Sequence, residues 1–153
     1  MTSPSPDCPF CRIVRGQAPA SVVHEDAECM AIMDLFPMRP GHVLVLSRTH
    51  AAHLHDLGEG ERAALFRVAS AVVKAQRASG LPWDAGTLIV NDGPASGQHV
   101  PHVHVHLVPR TRGDRLRVFG RIALRVFNRF GRPLDRAELD AQAARIRAHL
   151  HVD

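Results

Sequence analysis

A short alternating segment, residues 102–107, constrains this chain more than any other part of it. Three histidines alternate there with three large apolar residues, and a two-residue period is typical of a β-strand with one buried face. In such a strand the apolar residues would point into a core, while His102, His104 and His106 would stand in a row on the opposite face. The pattern therefore predicts a strand that displays imidazoles side by side.

The spacing along that strand bears on what the histidines can do. At about 3.3 Å per residue, His102 and His106 would lie roughly 13 Å apart along the backbone. All three histidines could not bind one metal ion without a bend, because Zn–N bonds are only about 2.0–2.1 Å long. Two neighbours could still share a metal. The row suits an extended substrate better, with one imidazole attacking and another handling charge or a proton.

Length and composition favour one compact domain without a nucleic-acid or membrane partner. At 153 residues and 45% hydrophobic content, a chain buries about 68–70% of its unfolded surface. The net charge of +4 comes almost entirely from arginine, which is weak support for nucleic-acid binding. Three cysteines, an odd number, argue against a secreted disulfide framework. With no signal peptide and no apolar run of membrane-spanning length, we expect a cytoplasmic protein.

Hydrophobic patterns predict further strands and one long helix. Residues 22–24, 29–33 and 42–46 are short strand-like segments between turn signals, and the third is almost continuously apolar, as expected of a central strand. From about 60 to 79 the apolar residues recur near a 3.6-residue period, which predicts a helix. Residues 86–91 would pair with the histidine strand in a hairpin with a long Gly-rich loop.

The region after Pro109 is strongly basic. Residues 110–132 contain eight arginines and a single acid, Asp114. Arginines recur every four residues from Arg117 to Arg129, which predicts an amphipathic helix. Its apolar side would consist of Phe119, Ile122, Val126 and Phe130. We interpret the arginines as a solvated face above a buried apolar stripe, while contact with anionic lipid, nucleic acid or a polyphosphate stays open.

A Cys-x-x-Cys motif lies near the N-terminus, at Cys8 and Cys11. Such a pair is half of a zinc site or a redox pair. Because Cys29 stands alone, a tetrahedral zinc ion would also need histidine ligands. Two buried cysteines in a turn are the alternative interpretation.

Taken together, these segments resemble the histidine triad (HIT) nucleotide-binding family, in particular its zinc-binding bacterial Hint-like branch. The signature is the string His102–Val108, preceded by Asn91-Asp92-Gly93 and Gly97-Gln98. The likeness continues upstream through Asp7–Cys11, Glu25-Asp26, Asp34, Pro40–Val45 and Arg48–His50. It spans roughly residues 7–110, and three alternate histidines in this context are quite specific.

The resemblance implies an α+β, HIT-like fold that forms a homodimer. It predicts an antiparallel sheet of about five strands with one long helix. Residues 1–7 would be a flexible tail, 8–110 the HIT domain, and 111–153 a basic C-terminal helical extension packed on the same domain. The last predicted helix runs from 135 to 150, and its start, residues 135–138, resembles a capping box.

The resemblance also implies a catalytic triad of His102, His104 and His106. His104 would attack the α-phosphorus of a purine nucleotide and form a nucleotidyl-histidine that water hydrolyses, without any cofactor for the chemistry. Neutral imidazole, with a pKa of about 6.5, is a usable nucleophile at neutral pH. His42 or the strand backbone would hold its other ring nitrogen and fix the tautomer. His106 would lie at the scissile bridge and help the leaving group depart.

Substrate-binding residues follow from the same resemblance. Asp34 would accept the ribose hydroxyls, and Leu35 would line the base pocket. The phosphate oxygens would be held by Asn91, Gln98 and the amides around Gly97 and His99, and His106 would contact the substrate at the scissile bridge. Simpler interpretations exist for some of these residues, because Asp34 and Asn91 could only start turns, and His42 could be a hydrogen-bonded core histidine.

Family members that carry the Cys-x-x-Cys motif resemble zinc-binding proteins. The resemblance therefore implies a closed, structural zinc site whose ligands would be Cys8, Cys11, His50 and His102. Such a site would pin the N-terminus against the active strand.

We accordingly expect a hydrolase or transferase that acts at a nucleotide α-phosphate, such as a purine nucleoside phosphoramidate or dinucleoside polyphosphate hydrolase. One alternative is a non-catalytic nucleotide-binding or sensor module. Another is a metal-dependent enzyme of a different fold with His102 and His104 as ligands. His99, where many relatives have Ser or Thr, and Pro101 depart from the family pattern and bear on substrate choice rather than on class.

Overall fold

The computed structural model describes residues 7–126 and 132–152, which form a five-stranded sheet flanked by helices. The strands are β1 (Val22–Glu25), β2 (Cys29–Met33), β3 (Val43–Ser47), β4 (Ala85–Val90) and β5 (His104–Arg110). The helices are α1 (Pro9–Val14), α2 (Glu59–Ala78), α3 (Arg115–Val126) and α4 (Arg136–Arg147). The predicted α+β fold is confirmed.

The sheet is antiparallel, with the strand order β1-β2-β3-β5-β4. The apolar segment that became β3 is its central strand, as predicted. Strand β5, which carries the histidines, lies between β3 and β4, so both of its edges are hydrogen-bonded. The predicted hairpin is confirmed, and residues 91–103 form its long loop.

The two faces of the sheet separate the core from the histidines. Val105 and Leu107 of β5 pack in the main core together with apolar residues of α2. On the opposite face, His104 pairs with Leu46 and His106 with Leu44, and these leucines belong to a smaller apolar cluster that also contacts α1. The alternation predicted from the sequence is therefore correct for these two histidines.

The prediction that His102 belongs to the same strand is wrong. β5 begins at His104, and the chain bends at the residues before it. Pro101 has no N–H to donate to a ladder, and the N–H of His102 bonds instead to the carbonyl of Val100 at 2.8 Å. The bend lets the ring of His102 leave the row and enter a separate cluster.

Helix α3 is amphipathic, and its predicted apolar side is correct at Ile122, which is half-buried, but wrong at Phe119. Val118 is 2% exposed, whereas Phe119, assigned to the buried stripe, is 72% exposed. Leu116 also faces solvent. The predicted positions Arg129 and Phe130 lie outside the described residues. Over 7–126 and 132–152, no helix is both long enough and apolar enough to span a membrane.

Helix α4 packs against the domain rather than extending from it. Leu139, Ala143 and Ile146 belong to the main core, and α4 contacts β1, β2 and α2. Asp135 is the N-cap residue, but its side chain makes no capping hydrogen bond, so the predicted capping box is not formed.

Candidate functional site

A pocket of about 400 Å³ lies over the histidine face of the sheet, within the size range of small-molecule sites. Its floor includes Ile32 and Leu44, and α1 contributes Phe10 and Ile13 to one wall. Seven of the predicted site residues line it, namely Asp34, Leu35, Asn91, Gly97, His99, His104 and His106. Gln98 and His102 are outside this lining.

The strand backbone fixes the tautomer of His104. Its Nδ1–H donates to the carbonyl oxygen of His102 at 2.7 Å, which places the lone pair on Nε2. The residue is 6% exposed, and its ring meets the ring of Phe10 edge-on, with 5.0 Å between the centroids. Of the two supports considered from the sequence, the backbone is therefore the one that holds His104.

His42 supports His106 and not His104. The backbone N–H of Met38 donates to His42 Nδ1 at 3.1 Å, so the ring proton of neutral His42 lies on Nε2. That Nε2–H donates to His106 Nδ1 across 3.1 Å. His106 in turn carries its own proton on Nε2. One backbone amide thus sets the tautomers of two buried imidazoles.

The two strand histidines are therefore complementary. Their ring centroids are 4.8 Å apart, and both rings line the pocket. His104 offers a nitrogen lone pair, and His106 offers a nitrogen–hydrogen bond. A nitrogen lone pair beside an N–H donor can attack an electrophilic centre and stabilise the group that leaves it.

Asp34 is both a turn former and a pocket residue. Its Oδ1 accepts the N–H of Phe36 at 2.8 Å, as in an Asx turn. Its Oδ2 lies 3.3 Å from His42 Nδ1 and 3.9 Å from His106 Nδ1. The residue is 5% exposed, so its carboxylate is held rigidly at the end of β2. Leu35, next in the chain, is 39% exposed and also lines the pocket.

The loop between β4 and β5 is shaped by glycines and by Gln98. Gly93 and Gly97 have φ values of 93° and 86°, which favour glycine. The side chain of Gln98 accepts the N–H of Gly93 at 2.8 Å and donates to the carbonyl of Ala52 at 2.7 Å. Gln98 thus ties the loop together, while Gly97 and the exposed His99 face the pocket.

The predicted metal ligands converge beside the pocket. His102 Nδ1 lies 3.5 Å from the Sγ atoms of both Cys8 and Cys11 and 3.4 Å from His50 Nδ1. Cys11 Sγ lies 3.3 Å from His50 Nδ1. Zn–S bonds of about 2.3 Å and Zn–N bonds of about 2.0 Å place tetrahedral ligand atoms about 3.3–3.8 Å apart. The two thiols and two imidazoles therefore fit one zinc ion.

The protonation of His102 also suits a metal ligand. Its Nε2–H donates to the carbonyl of Ser47 at 2.7 Å, so the Nδ1 lone pair faces the cysteines. Burial lowers the pKa of His102 to about 4, which keeps the ring neutral near pH 7. The side chain of His102 belongs to this cluster, and its carbonyl oxygen accepts the hydrogen bond from His104 Nδ1.

Sequence reasoning missed the residues through which the C-terminal extension reaches the pocket. Ile122 of α3 and Arg136 of α4 both line it. Helix α3 is anchored by Asp114, whose Oδ1 accepts from Arg110 Nη2 at 2.6 Å and whose Oδ2 lies 3.6 Å from Arg39 Nε. One feature of the sequence could have indicated this anchor: Asp114 is the sole acid in a segment with eight arginines.

Fold and site together define a class of α+β proteins in which an inner strand of an antiparallel sheet presents histidines to a pocket of small-molecule size. Residues 15–113 match the family model of the HIT domain. The chain therefore belongs to the HIT family, as its sequence motifs indicated. The alternative of a metal-dependent enzyme with a different fold is wrong.

Solved structures and curated proteins agree with this membership. A zinc-bound histidine triad family protein from Mycobacterium smegmatis is 36% identical, with a TM-score of 0.77, and the match covers 94% of this chain and 92% of that one. An uncharacterized HIT-like protein of Mycobacterium tuberculosis is 39% identical over 118 residues, which are 77% of this chain and 81% of the relative.

Two relatives have named activities. An adenylylsulfatase of Arabidopsis thaliana is 35% identical over 114 residues, or 72% of this chain and 55% of that protein. An adenosine 5'-monophosphoramidase of Schizosaccharomyces pombe is 33% identical over 103 residues, or 67% of this chain and 74% of that protein.

Proposed function

We propose that this protein is a hydrolase or transferase that cleaves nucleotides at the α-phosphate through a nucleotidyl intermediate on His104. One observation carries the proposal: the ring centroids of His104 and His106 lie 4.8 Å apart in one pocket. His104 has its lone pair on Nε2, and His106 has its proton on Nε2. The two relatives named for cleavage of adenylyl sulfate and of an adenosine phosphoramidate support it.

The first step forms one bond and breaks one. Nε2 of His104 attacks the α-phosphorus, and the bond from phosphorus to the leaving group breaks. As it departs, the leaving group accepts a hydrogen bond from His106 Nε2–H, which stabilises the charge that builds up on it, and it takes its proton from solvent. The positive charge that develops on the ring of His104 is stabilised by its Nδ1–H bond to the carbonyl of His102.

In the second step a water molecule attacks phosphorus and loses a proton to solvent, while His106 keeps its Nε2–H. The bond between phosphorus and His104 then breaks, which returns the nucleophile and releases the nucleoside monophosphate. An acceptor alcohol or phosphate in place of water would make the same site a transferase.

The remaining pocket residues contact the ribose, the base and the phosphate of the nucleotide. Asp34 Oδ2, at the end of β2, accepts the ribose hydroxyls, and the base lies against Leu35. Asn91, the backbone at Gly97 and the imidazole of His99 hold the phosphate oxygens. This arrangement suits purine nucleoside phosphoramidates and dinucleoside polyphosphates, in which a nucleoside monophosphate is joined to a poor leaving group.

The zinc site is proposed as structural. A zinc ion bound by Cys8, Cys11, His50 and His102 would cross-link α1 to the start of β5 and would supply no chemistry to the reaction. Its link to the reaction is indirect, because the carbonyl oxygen that orients His104 belongs to His102. The zinc-bound relative from Mycobacterium smegmatis supports the choice of metal.

A homodimer is the proposed assembly. β4 is an edge strand of the sheet. Its Leu88 pairs with Leu107, lies on the face that packs against α2 and is 47% exposed. Phe66 of α2 is 45% exposed. Unpaired edges and exposed apolar side chains are typical of surfaces that a partner covers. Light scattering of the wild type should give a dimer and of Leu88→Glu a monomer, and a monomeric wild type would contradict the proposal.

Replacement of His104 tests the catalytic proposal. His104→Ala should abolish turnover of adenosine and guanosine phosphoramidates and the trapping of labelled nucleotide on the protein, while nucleotide binding persists. His149→Ala, on the exposed surface, is the matched control and should keep full activity. Turnover that survives in His104→Ala would overturn the mechanism. A wild type that binds nucleotides but cleaves none of them would leave only a binding module.

A further inference from the structure

The C-terminal extension forms part of the pocket wall. The matched HIT region ends at residue 113, yet Ile122 and Arg136, from α3 and α4, line the same pocket as His104. Two hydrogen bonds fasten the extension to the pocket rim: Arg121 Nη1 donates to the carbonyl of Pro37 at 3.0 Å, and the N–H of Leu134 donates to the carbonyl of Leu35 at 3.0 Å. The extension is thus placed to influence which substrates fit.

Arg136 is a half-buried cation in an apolar part of this wall. Its Nη1 donates to Ser21 Oγ at 3.2 Å and its Nη2 to the carbonyl of Pro19 at 3.5 Å. These bonds use two of the five N–H groups of a guanidinium. Across the described ranges 7–126 and 132–152, no carboxylate forms an ion pair with it. Neutral oxygens hold the group in position without neutralising its charge.

The strand registers place Arg136 at the end of the pocket away from His104. His104 pairs with Leu46, which pairs with Met30. Ser21, the partner of Arg136, accepts the N–H of Met33 through its carbonyl at 2.9 Å. Three residues of strand separate Met30 from Met33, which is about 10 Å. With the α-phosphate at His104, the far end of a nucleotide lies near the guanidinium.

We propose that Arg136 is a specificity-determining residue that reads the nucleobase and favours guanine over adenine. Guanine presents two adjacent acceptors, O6 and N7, which a guanidinium can bond simultaneously. Adenine presents N7 beside the N6 amino group, whose hydrogens oppose a cationic donor. Ile122 would cover a face of the base. The orientation of the nucleotide is taken from the proposed function, and the base preference deepens that proposal.

Equilibrium binding of GMP and AMP to the wild-type chain tests this inference, because neither nucleotide carries a leaving group to lose. GMP should bind about tenfold more tightly than AMP, the scale of one good bidentate contact. Arg136→Met keeps most of the apolar stem and removes every donor, so affinity for GMP should fall to that for AMP. Arg136→Lys should lose most of the preference too, since an ammonium is a point charge rather than a fork.

Matched variants separate base recognition from anchoring of the extension. Arg145→Met removes an arginine of the same helix whose Nε donates to the carbonyl of Ser79 at 3.2 Å, outside the pocket lining, and it should leave the ratio of the two affinities unchanged. Ser21→Ala removes one anchor of Arg136 but none of its donors, so GMP should remain preferred. Thermal melting of each variant checks that it is folded.

The outcomes are distinct for this inference and for the catalytic proposal. Equal or tighter binding of AMP to the wild type overturns the inference, and so does an unchanged preference in Arg136→Met. A loss of affinity that is equal for both nucleotides would make Arg136 an anchor only and would also overturn it. A GMP preference that depends on Arg136 supports it even if His104 proves not to be catalytic, whereas absence of any nucleotide binding defeats both.

Discussion

His42 and His106, which are 64 positions apart in the chain, share a hydrogen bond of 3.1 Å that is buried beneath the pocket. Its direction follows from the amide of Met38, which donates to the other nitrogen of His42. Because of this bond, His106 presents N–H and not a lone pair to the pocket. The protonation pattern of the site is thus set by backbone geometry before any ligand arrives.

The first prediction concerns His42 as a positioning residue. His42→Ala removes the donor to His106 Nδ1, so the proton of His106 can move to that nitrogen and away from the leaving group. For substrates with an amine leaving group, kcat should fall by about 10²-fold or more, the scale of one lost hydrogen-bond donor to a developing charge. For a leaving group that departs as a stable anion, such as fluoride or a nitrophenolate, kcat should change little.

The comparison of leaving groups is what distinguishes positioning from a structural defect. A variant that is merely misfolded loses activity on every substrate by the same factor, whereas the hydrogen-bond argument requires a selective loss. His55→Ala, at an exposed surface position, serves as the control. An equal fall in kcat for both leaving-group types in His42→Ala would refute the role assigned to His42.

The second prediction concerns the metal. Protein purified without added metal should contain about one zinc ion per chain, since four donor atoms already lie at tetrahedral separations. Cys11→Ser should lose the zinc and unfold at lower temperature, because removal of the cross-link frees α1 and the start of β5. Elemental analysis and thermal melting measure the two effects.

Cys29 provides the control for the metal experiment. It is fully buried in the main core and lies outside the ligand cluster, so Cys29→Ser should keep its zinc even if packing in the core suffers. Wild-type protein without bound zinc would reduce Cys8 and Cys11 to packing residues, which was the alternative interpretation of the motif.

What the sequence predicted correctly were features that depend on neighbouring residues. The alternation of apolar residues and histidines identified β5 and its two faces, and the unbroken apolar run at 43–46 identified the central strand. Even the departure of His102 had a local cause, because Pro101 cannot join a ladder. Local patterns of this kind survive folding when one face is buried.

What the sequence left open were contacts between residues far apart in the chain. Whether His42 would support His104 or His106 depends on the register of β3 against β5, which pairs Leu44 with His106. In the same way, nothing near Arg136 indicates that α4 returns to the pocket. Such pairings are decided by how the elements pack, and the spacing of residues in one segment carries no information about them.

The third prediction concerns the pH dependence of stability at Asp114. The hydrogen bond from Arg110, together with smaller contributions from Thr111 and Arg39, lowers the pKa of Asp114 from 3.8 to about 2. A carboxyl whose pKa is lower in the folded state stabilises the fold above its unfolded pKa, and that contribution is lost as the pH falls through the folded pKa. The window is therefore between pH 4 and about 2.

Asp114→Asn should expose this contribution. Above pH 4 the free energy of unfolding of the variant should be about 2 kcal/mol lower than that of the wild type, since one pKa unit corresponds to about 1.4 kcal/mol. The difference should shrink towards zero as the pH approaches 2. Urea unfolding at several pH values measures it, with the exposed Asp140→Asn as the control. A difference that does not vary with pH would mean that the ion pair with Arg110 is not its source.

The last prediction concerns Gln98, which the structure places outside the pocket lining. Its side chain bonds to both Gly93 and Ala52, so it holds the loop in which Gly97 lines the pocket. Gln98→Ala breaks both bonds and should raise KM severalfold through a less ordered loop, with a smaller change in kcat. Gln98→Glu keeps an acceptor for Gly93 and loses the donor to Ala52, so its KM should lie between that of the wild type and that of Gln98→Ala. If Gln98→Ala instead lowers kcat at unchanged KM, the residue acts on the reacting phosphate and the positioning role is wrong.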